Sequence, residues 1–269
     1  MDKILTENFS PLLFAFWGGV FTFLLTAIGS STVFIFKKIT SKISDSILGL
    51  SGGIMLAASV FSLLLPSIEI SKKQSPLFFL PPILGFLLGA FFLKLLDNLL
   101  PHIHINNEKS EGVKTNLNKK ILLMIAITLH NIPEGLAIGV SFGSITEKSF
   151  ALLIPSLVLT LGIGLQNIPE GAAISFPLRG MGLSRTKSFL LGALSAIVEP
   201  VFSFLGAFIV SFFSTILPYA LSFSAGAMIY VVVEEVIPES QSNGNVDLAT
   251  ISTMMGFAIM MLLDIIFNG

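Results

Sequence analysis

The sequence predicts an all-α integral membrane protein, a single transmembrane domain of eight spans over residues 1–269. Three observations lead there. Apolar residues make up 53% of the chain and charged residues 12%, with a mean hydropathy of +0.90, where a soluble domain carries about 25% charge. The apolar residues fall in runs of roughly 20, the length that crosses a bilayer. A six-residue phrase also occurs twice, as His130-Asn131-Ile132-Pro133-Glu134-Gly135 and as Gln166-Asn167-Ile168-Pro169-Glu170-Gly171, in successive apolar stretches.

The spans run roughly over 11–36, 46–69, 76–100, 119–143, 148–177, 185–212, 216–238 and 247–267. Span 1 reads as retained, because Met1-Asp2-Lys3 lacks the basic start of a signal peptide and no A-x-A site follows. Span 2 is preceded by Asp45, a helix N-cap or a functional carboxylate, and contains Met55 and Ser62. Span 3 carries Asp97 with Lys94 three residues before it, the spacing of a helical ion pair. The polar stretch 101–118 holds His102 and His104 and is the one longer connection. Spans 4 and 5 hold the two phrases. Span 6 holds Glu199-Pro200, a third carboxylate beside a proline. Span 7 ends near Glu234-Glu235, and span 8 contains Asp264.

Basic residues set the orientation. The connections 1–2, 3–4 and 5–6 hold Lys37, Lys38, Lys42, Lys109, Lys114, Lys119, Lys120, Arg179, Arg185 and Lys187. The N-terminus and connections 2–3 and 4–5 hold Lys3, Lys72, Lys73 and Lys148. Both termini are therefore expected outside the cytoplasm, and the 101–118 loop inside. A second echo joins Ser51-Gly52-Gly53-Ile54-Met55 in span 2 to Ser224-Ala225-Gly226-Ala227-Met228 in span 7. Pairing spans 1-2-3 with 6-7-8 and 4 with 5 gives an inverted repeat, an architecture of secondary transporters.

Each phrase places a nitrogen or amide side chain and a carboxylate at i and i+4, on one helical face. An ionisable side chain at mid-membrane is costly and marks function. Pro133 and Pro169 lack the N–H that would pair with the carbonyls of Leu129 and Leu165, so a kink or break is expected beside each carboxylate. Two such faces across a helix pair make a cage of nitrogen and oxygen donors suited to a divalent metal ion. Imidazole with carboxylate suits zinc and other first-row ions; amide and carboxylate oxygens suit harder ones. The plainer alternatives are a hydrogen-bonded core histidine and buried ion pairs, yet spans 4 and 5 carry no cation at a suitable place to pair the glutamates. The chain has no cysteine, which excludes disulfides and thiolate ligands, and no basic patch points to nucleic acid.

On these residues the chain resembles the ZIP (Zrt-, Irt-like) family of divalent metal transporters over essentially its whole length. The HNxPEG phrase in span 4 and the NxPEG phrase in span 5 carry the resemblance. Gln166 stands where histidine is commoner, and in this the chain looks like the GufA-type branch. The resemblance implies an eight-helix 3+2+3 bundle, often a homodimer, in which one bundle moves against another as an elevator. It implies a binuclear metal site, with His130, Glu134, Gln166 and Glu170 at the main position. Asn131, Asn167 and Glu199 would serve the second, with Glu134 and Glu170 shared. Asp45, Met55 and Ser62 would lie on the route in from outside, and Glu235 and Asp264 near the exit.

The leading expectation is transport of zinc toward the cytoplasm across the cell membrane, with cadmium, iron and manganese as similar ions, the lipid bilayer as surroundings and no organic cofactor. The alternatives are an intramembrane metal-dependent hydrolase and a magnesium or calcium carrier. A hydrolase needs a metal with an open position and a general base, and the chain has no HExxH. The predominance of oxygen donors is what favours the magnesium or calcium reading.

Overall fold

The computed structural model describes residues 10–74, 76–101, 119–145 and 150–268; His102 and His104 lie outside the described residues. Eight helices are long and apolar enough to cross a membrane, and no strand occurs among the described residues. They are α1 (Pro11–Ile35), α2 (Ser41–Gln74), α3 (Leu80–Leu99), α4 (Lys119–Gly143), α5 (Phe150–Gly180), α6 (Arg185–Phe212), α7 (Leu217–Gln241) and α8 (Val246–Asn268).

The helix ends follow local chemistry. α2 starts earlier than expected because Thr40 caps it, its hydroxyl accepting from the Ile43 N–H at 3.3 Å. Asp45 is therefore not the cap; it lies a full turn inside the helix and is buried. Ser184 caps α6 in the same way, accepting from the Lys187 N–H. α3 opens on Pro81-Pro82, where a missing N–H costs nothing.

The expected breaks at Pro133 and Pro169 do not occur. α4 and α5 run through their prolines as continuous α-helix. Each proline removes one helical hydrogen bond, and an apolar surrounding offers the other backbone groups no alternative partner, so the remaining bonds hold. The irregularities fall elsewhere. π-helical turns occupy Ala58–Leu64 in α2 and Val232–Val236 in α7. A 3-10 turn, Ser195–Ile197, interrupts α6 just before Glu199-Pro200.

The helices pack as two bodies. α1, α4, α5 and α6 form one, through the α1–α5, α4–α6 and α1–α6 interfaces; α2, α3, α7 and α8 form the other, through α2–α8 and α3–α7. The inverted repeat accounts for this pairing, since exchanging α1-α2-α3 with α6-α7-α8 and α4 with α5 turns each interface into its counterpart. The span 2 and span 7 echo is part of it. A Cβ on Gly53 would collide with the backbone of Thr253 on α8, and one on Gly226 with the backbone of Phe86 on α3, so each glycine permits the same close helix approach. The two bodies meet where α2 and α8 pack on α5 and where α4 packs on α7.

One end of the bundle gathers the α1–α2, α5–α6 and α7–α8 connections. The Arg185 guanidinium donates to the Phe34 carbonyl at 3.1 Å, and Asn243 and Asn245 of the α7–α8 turn reach Asp45 on α2. We call this the basic end. Toward the opposite end, Met55, Leu63, Ile138, Phe142, Leu159, Ile163 and Met228 fill the centre as one buried apolar cluster.

Candidate metal-transport site

The two phrases meet at mid-bundle. The i,i+4 faces of α4 and α5 bring Gln166 against Glu134, the Gln166 amide donating to Glu134 Oε1 at 2.6 Å. One step around each helix, Asn167 donates to Glu199 Oε1 on α6 at 2.9 Å and more weakly to the Thr22 carbonyl on α1 at 3.4 Å. Gly135 lets α6 come this close, since a Cβ there would lie 2.8 Å from the Glu199 carbonyl. Asn131, Glu134, Gln166, Asn167 and Glu199 are all fully buried.

Several donor atoms in this layer have no hydrogen-bond partner: Glu134 Oε2, Gln166 Oε1, Asn167 Oδ1, Glu199 Oε2 and both polar atoms of Asn131. Buried polar atoms are normally paired, and an unpaired one costs about 1–3 kcal/mol. Five orphaned oxygens in one layer are the donor chemistry that a divalent cation satisfies.

His130 and Glu170 lie on the basic side of this layer. Both line a cavity of about 50 Å³ with Glu134, Ser51, Met55, Glu235 and Glu239, which is room for a few water-sized particles. His130 Nε2 stands 2.7 Å from Glu235 Oε2, a contact from α4 in one body to α7 in the other. A second cavity of about 270 Å³ shares Leu48, Ala173 and Glu239 with the first and continues past Ser41, Ser44 and Asn243 to the basic end. Toward the opposite end the apolar cluster closes the bundle.

The expected cage is present as a layer of pairs rather than as a finished cage. Among the described residues, no three histidine, aspartate or glutamate side chains converge closely enough to share one ion. Amides occupy the places between carboxylates, and an ion held here would be held partly by Gln166 and Asn167.

The residues expected along the entry and exit routes make contacts of their own. Asp45 is buried at the basic end, its two oxygens accepting from Asn243 at 2.8 Å and Asn245 at 2.9 Å. Ser62 adjoins Leu63 of the apolar cluster and donates to Asp264 Oδ1 at 2.8 Å. Met55 lines the central cavity. Asp45 and Ser62 thus sit toward opposite ends of α2, and Asp264 meets Ser62 whereas Glu235 meets His130. Residues 17 apart on one helix are separated by about 25 Å. Lys94 and Asp97 form the expected i,i+3 pair at 3.7 Å.

Sequence reasoning missed Glu239, which lines both cavities, and Thr22, whose carbonyl meets Asn167. Glu239 stands at i+4 from Glu235, a signal available in the sequence. Thr22 gave no signal, because its contribution is a backbone oxygen set by packing.

An eight-helix bundle with inverted-repeat packing and a buried layer of carboxylates and amides defines a membrane carrier of cations. The family model described as ZIP Zinc transporter matches residues 106–264. The chain is similar to Zinc transporter ZIP11 of Xenopus tropicalis, 38% identical over 96% of this chain and 98% of that one. It is similar to Zinc transporter GufA of Myxococcus xanthus, 37% identical over 89% and 93%, and to Zinc transporter ZIPB of Bordetella bronchiseptica, 37% identical over 98% and 84%. The chain belongs to the ZIP family of zinc transporters, and it is a transporter rather than an enzyme.

Proposed function

We propose that the protein moves zinc, and with it cadmium, iron and manganese, across the cell membrane toward the cytoplasm through a binuclear site at mid-membrane. His130, Glu134, Gln166 and Glu170 hold one ion; Asn131, Asn167 and Glu199 hold the second, with Glu134 and Glu170 shared. The observation that carries this reading is the buried layer in which Gln166 meets Glu134 and Asn167 meets Glu199 while five oxygens stay unpartnered. A mixed set with one imidazole binds first-row ions less tightly than a histidine-rich one, which suits an ion that must leave again.

The excess of basic residues at the α1–α2, α3–α4 and α5–α6 connections supports a cytoplasmic basic end and outside termini. The cavities run from the layer toward that end, and the apolar cluster lies on the other side. This supports an inward-facing arrangement, from which the ion leaves into the cytoplasm.

The test is uptake by the purified full chain in proteoliposomes, against zinc, cadmium, manganese, iron, magnesium and calcium. Zinc-led uptake supports the reading. Uptake of magnesium or calcium alone would replace it with the alkaline-earth alternative, and no ion flux at all would end it.

A further inference from the structure

A groove of about 260 Å³ opens between α1, α2 and α5 at the basic end. Its walls are the end of α1 at Phe36, one face of α2, and Pro169 and Ala172 of α5. That face of α2 supplies Ile43 and Ile47, an i,i+4 pair. Phe36 and Ile43 are exposed, so the groove opens outward from the bundle and not into the ion layer. Pro169 belongs to the second phrase, at mid-bundle, which puts the floor of the groove inside the bilayer. The mouth lies at the α1–α2 connection, where Lys38 is the one charged residue of the lining. Lys37 and Lys42 stand beside it, all three exposed, and among the described residues no carboxylate pairs with any of them.

We propose that this groove seats an acyl chain of an anionic phospholipid whose phosphate rests on Lys38. An apolar floor at depth and an unneutralised positive rim at the interface match the two halves of such a molecule, in the order in which a bilayer presents them. The lysine stem lies along apolar surface while the ammonium reaches the headgroups, and an anionic leaflet attracts it. A helix, about 10–12 Å across with its side chains, does not enter a groove of this volume.

The seat belongs to both bodies. α1 and α5 are part of one and α2 of the other, so a displacement of one against the other reshapes it. A seated lipid therefore favours the arrangement that forms the groove, by its difference in affinity between the two. Ile39 and Ala172 line this groove and also the cavity that runs to the basic end, so the chain backs the wall of that cavity without entering it. Binding needs no metal; only the choice of the cytoplasmic leaflet rests on the orientation proposed above.

Retained lipid is counted by native mass spectrometry on the purified full chain in detergent. The chain is titrated with dioleoyl phosphatidylglycerol or dioleoyl phosphatidylcholine, as the parent, Lys38→Ala, Ile43→Trp and Lys73→Ala. Lys38 and Ile43 are exposed, so neither exchange disturbs the core. The parent retains phosphatidylglycerol in preference to phosphatidylcholine. Lys38→Ala weakens phosphatidylglycerol about fivefold, the scale of one lysine at an anionic leaflet. Ile43→Trp fills the groove and loses both lipids, although every lysine remains. Lys73→Ala, exposed at the far end of α2, binds as the parent does. Phosphatidylglycerol also raises the thermal midpoint of the parent and not that of Ile43→Trp. Equal retention of the two lipids by the parent overturns the proposal. So does a preference lost in Lys38→Ala but kept in Ile43→Trp, which is charge attraction with no seated chain. Displacement of the lipid by soluble glycerol phosphate at matching concentration overturns it as well, since the site then reads phosphate alone. A retained lipid that leaves the midpoint unmoved overturns the link between the bodies.

Discussion

Ser62 on α2 and Asp264 on α8 meet through a 2.8 Å hydrogen bond, hydroxyl to carboxylate, both buried. They lie alongside the apolar cluster, next to Leu63 and Leu263. The contact fastens two helices of one body that are otherwise joined by close glycine packing. A hydrogen bond to a charged acceptor contributes about 1.5–3 kcal/mol. Ser62→Ala should lower stability in detergent by a free energy in that range, read as a fall in the thermal midpoint, and the same change in an Asp264→Ala background should add little. Full additivity of the two substitutions would mean that the pair is not coupled.

Asp45 makes the corresponding tie at the basic end. Its two oxygens depend on Asn243 and Asn245, and Asp45 is fully buried. Asn243→Ala or Asn245→Ala each strands one oxygen, at a cost of about 1–3 kcal/mol. The double variant should be less stable than either, and adding Asp45→Ala should restore part of the loss by removing the stranded charge. A triple variant no more stable than the double would refute this account.

These two pairs show where sequence reasoning stopped. Eight spans and the mid-membrane layer were legible, because lipid forces apolar runs and makes an embedded carboxylate conspicuous. The Gly53 and Gly226 echo was legible as well, because close backbone contact tolerates no side chain. Partners were not. Periodicity assigns Asp45 or Glu235 to a helix face, but the residue opposite comes from packing between helices far apart in the chain. The π turns in α2 and α7 left no compositional mark, and Pro133 and Pro169 promised breaks that the retained backbone bonds of α4 and α5 prevent.

The carboxylates of the layer are expected to be functional rather than structural. Glu134 Oε2 is buried without a partner, so truncation removes a desolvated group. Glu134→Ala and Glu170→Ala should each abolish zinc uptake in proteoliposomes while still eluting as intact protein. Glu134→Gln keeps an acceptor for the Gln166 amide and should be at least as stable as the parent, yet equally inactive. Near-normal flux in either alanine variant would remove that glutamate from the ion path.

Sidedness can be read by labelling, because the chain contains no cysteine. Lys38 is exposed in the α1–α2 connection and Leu77 in the turn between α2 and α3. Positive charge favours the cytoplasmic side. Lys38→Cys should resist an impermeant thiol reagent applied to intact cells, and Leu77→Cys should react. The reverse pattern would invert the molecule and turn the proposed influx into efflux.

Gln166 is the position at which the site's chemistry is most open to change. Its amide nitrogen is engaged by Glu134, and its oxygen is buried and unpartnered. That oxygen is a neutral donor, a weaker zinc ligand than imidazole. Gln166→His gives α5 the His-x-x-x-Glu face that α4 already has, and the two faces then present two imidazoles and two carboxylates, a set that favours zinc. Zinc should bind more tightly and its flux relative to manganese should change. Slower release should lower turnover while KM falls. Gln166→Ala should weaken zinc binding and, by leaving Glu134 Oε1 without its donor, also lower stability by about 1–3 kcal/mol. The two variants thus move affinity in opposite directions from the parent. If both leave affinity and ion ranking as they were, Gln166 serves only to pair Glu134, and the ion is held without it.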